Sequence, residues 1–174
     1  QAQLKHARPD LAIGTLRGNV ETRLRKLDEG EFDAIILATA GLMRLDLGHR
    51  VTKHLDPAFS VPAPGQAIVG IECREQDRES IEYVRVLEHE LSATCGRAER
   101  AFARHLQGDC FSPIAAYAQI HGSTLTLTGV VASLDGTQLY RDSISGSAQN
   151  AVALGVELAD RLLNAGAREL LPRN

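Results

Sequence analysis

Tryptophan is absent from this 174-residue sequence, methionine occurs once, and aromatic residues make up only 4%. A chain so poor in aromatics offers few platforms for stacking unpaired bases. Its 19 Lys and Arg against 22 Asp and Glu leave a net charge of −3, so the overall basic field that a polyanion needs is also missing. Both absences argue against nucleic acid as a partner. The longest apolar stretch, Ala34 to Ala38, is strand-sized. It falls far short of the roughly 20 residues that span a bilayer, and no membrane association is expected. The three cysteines, Cys73, Cys95 and Cys110, include no C-x-x-C pair, and no histidine stands at the short spacing of a structural zinc site. The six histidines form no ligand cluster either, so no metal site is expected. No P-loop, nucleophile elbow or G-x-G-x-x-G fingerprint occurs, and no carboxylates pair as an acid and a base. The sequence opens at Gln1 with neither a charged leader nor an apolar signal core. An odd number of cysteines without a leader points to free thiols in a reducing compartment, and the expectation is cytoplasmic.

What is present is the composition of a folded globular chain, 44% hydrophobic and 24% charged. Charge is unevenly spread. Residues 1–54 hold nine Lys/Arg against seven Asp/Glu, residues 55–110 six against ten, and residues 111–174 four against five. The positive third suits a local anionic ligand, although solvated helix faces would give the same composition.

Gln1 to Arg8 reads as the last turns of a helix stopped by Pro9. Leu11–Leu16 reads as a short strand, followed by a turn at Arg17-Gly18-Asn19 and a helix over Val20–Asp28, with Asn19 as N-cap and Gly30 closing it. Asp33–Ala38 is a continuous apolar run, as in a strand buried on both faces of a parallel sheet, and Ala40–Leu47 is a short helix. This alternation is βαβ grammar. A proline-rich connector follows at Pro57, Pro62, Pro64 and Gly65, then a strand over Ala67–Cys73 and a helix from Asp77 to Val86. A longer helix is predicted from His89 to Leu106, with Leu91, Cys95, Ala98, Phe102 and Leu106 along one face. Beyond Cys110 the pattern turns antiparallel. Ala115–His121 and Thr124–Ala132 form a hairpin, Gln138–Ser145 a third strand, and Gln149–Asn164 a closing helix. The fold class is therefore α/β plus α+β.

Three groups of residues carry possible chemistry. Arg17, Gly18, Asn19 and Arg23 surround a strand-to-helix turn, and Arg44 follows the next strand. Helix N-termini and arginine forks suit carboxylates or phosphates, and spacing alone leaves open whether these arginines converge or merely solubilise the surface. Pro62-Ala63-Pro64-Gly65-Gln66 is a rigid connector ending in a polar side chain. Cys110 lies in a loop between helix and strand, where a thiol is either inert or reactive, with no histidine spaced to act as its base.

Taken in order, these segments resemble the porphobilinogen deaminase (hydroxymethylbilane synthase) family. The resemblance is carried by Leu16-Arg17-Gly18-Asn19-Val20 with Thr22-Arg23-Leu24, and by Asp33-Ala34-Ile35-Ile36-Leu37-Ala38 with Ala40-Gly41-Leu42 and Arg44-Leu45. It continues through Pro62-Ala63, Gly65-Gln66, Gly70-Ile71-Glu72-Cys73-Arg74 and Ala98-Glu99-Arg100-Ala101, and ends at Gly108 with Cys110. Two positions depart from the family pattern: Asp109 stands where a glycine is usual, and Pro64 where a small aliphatic residue is usual.

The resemblance implies a transferase of tetrapyrrole (haem) biosynthesis. It condenses four porphobilinogen units head to tail on a dipyrromethane primer, with loss of ammonia at each step. The primer would be bound covalently, by a thioether to Cys110. Arg17, Arg23 and Arg44 match basic cleft residues, Ala38 and Gly41 match backbone beside the cofactor, and Gln66 matches a cleft residue at the hinge. Residues 1–61 would be an incomplete second domain, a partial periplasmic-binding-protein-like βαβ unit with the anion-binding cleft. Residues 62–89 would be hinge and crossover, and residues 90–174 the α+β domain carrying the cofactor cysteine. The family's catalytic aspartate belongs to an N-terminal domain that these residues do not match. No catalytic residue is therefore assigned here, and the isolated chain is expected to be inactive. A whole family member is expected to be a monomer, whereas this chain alone has scope to associate or to swap residues 68–85 with a neighbour. The rival reading is a non-catalytic polycarboxylate-binding module with Cys110 unmodified.

Overall fold

The structure, a computed structural model, describes residues 1–108 and 112–171. Its organising element is a three-stranded antiparallel sheet of β1 (Ile114–His121), β2 (Thr124–Ala132) and β3 (Leu139–Ser147), in that spatial order. Gly122 takes a φ of +62° in the β1–β2 turn, which glycine adopts without steric cost. The register follows from the alternation. Ala116, Ala118, Leu125, Leu127, Val131 and Ile144 face inward, whereas Thr126 and Thr128 pair hydroxyls with Ser145 and Ser143 on the opposite face.

Two helices cover the inward face, α5 (Glu90–His105) and α6 (Ala151–Asn164). Ala98, Phe102 and Leu106 from α5 meet Leu154, Leu158 and Leu162 from α6 over the sheet. Gly129 makes room for the Phe102 ring: a Cβ there would lie 2.6 Å from Phe102 Cζ. This half matches the expected α+β unit. Ser147 caps a 3₁₀ turn at Ala148–Asn150 rather than α6 itself. Gly166, at φ +117°, follows the end of α6.

The first half holds α1 (Ala2–Ala7), α2 (Val20–Asp28), α3 (Thr39–Arg44) and α4 (Arg78–Arg85). The Asn19 side chain accepts from the Thr22 amide and the Asp77 side chain from the Ser80 amide, as N-caps do. Here the strand expectations need correction. Leu11–Leu16, Asp33–Ala38 and Ala67–Cys73 form no strands, and the sheet of the expected βαβ domain is not present among the described residues. A strand exists only through a hydrogen-bonded neighbour, and these runs find none. Their apolar side chains consequently stay open to water, with Ile36 59% and Val69 73% exposed.

The two halves are nevertheless tied together. The Gln3 side-chain amide donates to the Val61 carbonyl and its oxygen accepts from the Val61 amide. Val61 packs with Ala115 and Val130 on the outer face of the sheet. Arg141 Nη1 on β3 donates to the Ala58 carbonyl at 2.7 Å. At the β2–β3 turn, the Gly136 carbonyl lies 2.9 Å from His6 Nδ1 of α1.

Candidate functional site

The turn before α2 is built as the sequence suggests. Gly18 has a φ of +118°, and a Cβ at that position would come within 2.8 Å of Thr22 Cγ2. Glycine is therefore required for the backbone to enter the helix so tightly. Arg23 Nε donates back to the Gly18 carbonyl at 2.7 Å, laying its guanidinium along the turn. Arg17 is exposed and has no hydrogen-bond or ion-pair partner among the described residues, and the same holds for Arg44. By contrast, Arg25 pairs with Glu29 and Arg50 with Asp28. The arginines near this turn divide into neutralised ones and unpaired ones, and those singled out for anion binding include the unpaired pair.

Gly41 lies against α2: a Cβ on it would sit 3.7 Å from Val20 Cγ2. The N-terminal ends of α2 and α3 are thus neighbours, with Ala38 the residue that precedes α3. Arg44 occupies the last turn of α3, at the end away from Ala38. Ala38 and Gly41 at the start of α3 thus lie beside the turn that carries Arg17 and Arg23, and Arg44 stands at the other end of α3.

Gln66 belongs to a different place. It is an exposed residue of a turn at 64–67, flanked by Gly65 at φ +76° and Ala67 at φ +68°. That turn forms one wall of a cavity of about 280 Å³ between the connector, α5 and β1. Leu91 and Cys95 of α5 and Tyr117 and Ile120 of β1 line the other walls. Cys110 lies outside the described residues. Its described flanks are Gly108, after the C-terminal end of α5, and Ser112, before β1.

Sequence reasoning gave Glu99 no role, although it is the cavity's most unusual residue. It is 5% exposed, one helical turn beyond Cys95 and three residues before the core residue Phe102. Its Oε2 accepts from the Gly65 amide at 2.7 Å and its Oε1 from the Ala118 amide at 2.8 Å. Burial pushes its carboxyl above the ordinary value, more than the two amides pull it down. The Cys95 thiol is also pushed up, by burial first and by Glu99 second, so it is a poor nucleophile. A carboxylate inside an apolar helical stripe was the available signal for Glu99.

Two family models match the chain. The porphobilinogen deaminase model described as the dipyromethane cofactor binding domain covers residues 1–82, and that of the porphobilinogen deaminase C-terminal domain covers residues 93–164. Arg17, Arg23, Ala38, Gly41, Arg44 and Gln66 all fall in the first, and Cys110 in the second. Among curated relatives, porphobilinogen deaminases of Pelobacter propionicus and Trichlorobacter lovleyi are each 53% identical over 171 residues, 98% of this chain and 55% of the relative. The Nitrosomonas europaea porphobilinogen deaminase is 46% identical over 171 residues, 98% of this chain and 56% of its own. The chain thus spans about half the length of the curated relatives it matches. With both halves matched in order and identities of this size along nearly the whole chain, it belongs to the porphobilinogen deaminase family.

Proposed function

We propose that this chain serves a hydroxymethylbilane synthase, the transferase that joins four porphobilinogen units head to tail in tetrapyrrole biosynthesis. The observation that carries this reading is 46–53% identity to porphobilinogen deaminases over 98% of the chain. In each cycle the aminomethyl carbon of a substrate loses its amine as ammonia and forms a carbon–carbon bond to the free α-carbon of the chain's terminal pyrrole, and the proton on that ring carbon leaves. Water releases the finished linear product.

On this reading Cys110 holds a dipyrromethane primer through a thioether, and the absence of a histidine spaced along the sequence to act as its base has a reason. The sulfur is a permanent anchor and needs no reactivation between turnovers. The bound primer supplies the free pyrrole end to which each unit is joined. The chain's own residues hold its acetate and propionate groups. Arg17 and Arg44 have no partner among the described residues to give up, and Arg23 is held along the turn by Gly18. The Arg17 guanidinium beside the N-terminus of α2, with Arg44 on α3, fits a polycarboxylate in charge. Small residues at Ala38 and Gly41 let the backbone approach such a ligand closely, and the Gln66 turn is the hinge. Residues 1–61 are read as part of a periplasmic-binding-protein-like βαβ domain, supported by their apolar runs alternating with α2 and α3. The partners are porphobilinogen and the polypyrrole it builds, in the cytoplasm, where free thiols persist.

The resemblance locates the aspartate that manages proton transfers in a domain these residues do not match. The purified 174-residue chain is therefore expected to release no ammonia from porphobilinogen above the uncatalysed rate. Measurable turnover by this chain would contradict the assignment of acid–base chemistry elsewhere.

A further inference from the structure

The Gln66 turn is an improbable conformation to hold unaided. It contains two left-handed residues, and one of them, Ala67, carries a Cβ, which costs about 1 kcal/mol in that region. Two short backbone hydrogen bonds close it, from the Gln66 amide to the Ala63 carbonyl and from the Ile68 amide to the Gly65 carbonyl. Neither attaches it to the rest of the molecule. The attachments lie at the free edge of β1. There the Ala116 amide donates to the Pro62 carbonyl at 3.0 Å, and two residues further the Ala118 amide donates to Glu99. The second oxygen of Glu99 takes the Gly65 amide. One buried carboxylate thus joins the turn to the sheet edge and satisfies a strand amide that would otherwise face the cavity unpaired.

We infer that Glu99 is a positioning residue: its carboxylate bridges the Gly65 and Ala118 amides, fixes the 64–67 turn on the edge of β1, and so sets where Gln66 stands in the hinge. The role of Gln66 rests on the proposed function; the bridge itself does not. A neutral glutamine of the same shape cannot reproduce it. Its oxygen accepts from one amide, while its NH₂ confronts the other N–H, donor against donor. The titratable groups that share the cavity are Cys95 on α5 and Tyr117 on β1, with the connector contributing only neutral Gln66. No lysine, arginine, histidine or second carboxylate lines it among the described residues. Protonation of Glu99 is accordingly the one charge change expected there between acidic and neutral pH.

The test is a pH titration of the ¹⁵N-labelled 174-residue chain by NMR. The backbone amide protons of Gly65 and Ala118, 53 residues apart in sequence, should follow a single midpoint above the ordinary glutamate value. The side-chain amide of Gln66 should follow the same midpoint. In Glu99→Gln all three should lose that titration, while amides in β2 keep their wild-type positions. Separate midpoints for Gly65 and Ala118, or a midpoint that survives in Glu99→Gln, would overturn the bridge. A Gln66 amide indifferent to that midpoint would overturn the positioning role. Should Glu99→Gln fail to fold, the shared midpoint in the wild-type chain decides alone. None of these signals depends on porphobilinogen or on an adduct at Cys110, so failure of the proposed function would be read separately, by mass.

Discussion

Individual residues separate by whether their charge is already satisfied. Arg25 and Arg50 are neutralised by Glu29 and Asp28, whereas Arg17 has no partner among the described residues. Replacing Arg17 by alanine should therefore cost the fold little. It should weaken binding of porphobilinogen, a dicarboxylate, by about fivefold to tenfold, as expected for one lost charge-assisted contact of about 1–1.4 kcal/mol. Isothermal titration calorimetry at two salt concentrations checks this, and the difference between wild type and variant should shrink at high salt. Glu99 behaves in the opposite sense. Its folded value lies above the ordinary 4.5, so the fold binds its proton more tightly than the unfolded chain does. The stabilisation from this group is complete below the unfolded value and is lost as pH rises through the folded one. Urea unfolding across that window should show wild-type stability falling with pH at this group, and the corresponding component should be absent in Glu99→Gln. The ionised form that makes the bridge is thus held at some cost to stability.

At the scale of elements, α5 and α6 cross closely at a glycine. Gly155 of α6 faces α5, where a Cβ would stand 2.9 Å from Ala101 Cβ and 3.0 Å from the Phe102 amide nitrogen, and would press on the Ala98 carbonyl. Backbone atoms cannot turn aside as a side-chain tip can. Gly155→Ala should destabilise the chain by about 1–3 kcal/mol despite alanine's better helix propensity, measured as a lower urea midpoint with the slope unchanged. What could be read from the sequence divides along the same line. α2, α5, α6 and the β1–β2 hairpin were legible because their caps, turns and apolar stripes are local, and their burial partners lie within the next sixty residues. Asp33–Ala38 and Ala67–Cys73 had equally good strand composition and formed no strand, since composition supplies the side chains and not the neighbouring strand. Within the candidate site, Gly18 and Arg23 were legible from a turn motif. The bridge at Glu99 was not, because its two partners are backbone amides that no side-chain pattern announces.

The molecule as a whole is one well-packed α+β unit with a loosely covered first half attached at a few points. Val61 against Ala115 and Val130, Pro62 to Ala116, Arg141 to Ala58, α1 to the Gly136 turn and Glu99 to Gly65 are among those points. Exposed Ile36, Val69 and Ile71 lie between them on segments that have no strand partner. The unpaired arginines belong to this loosely covered half, and Cys110, the proposed anchor, falls in the C-terminal family domain, so a primer held by both would span the attachment. That division of labour is the centre of the account, and intact mass measures it directly. A full-length protein that contains this chain and consumes porphobilinogen should carry a dipyrromethane adduct on the peptide containing Cys110, and Cys110→Ser should abolish both adduct and activity. An active protein whose Cys110 peptide has the mass of an unmodified thiol would contradict it.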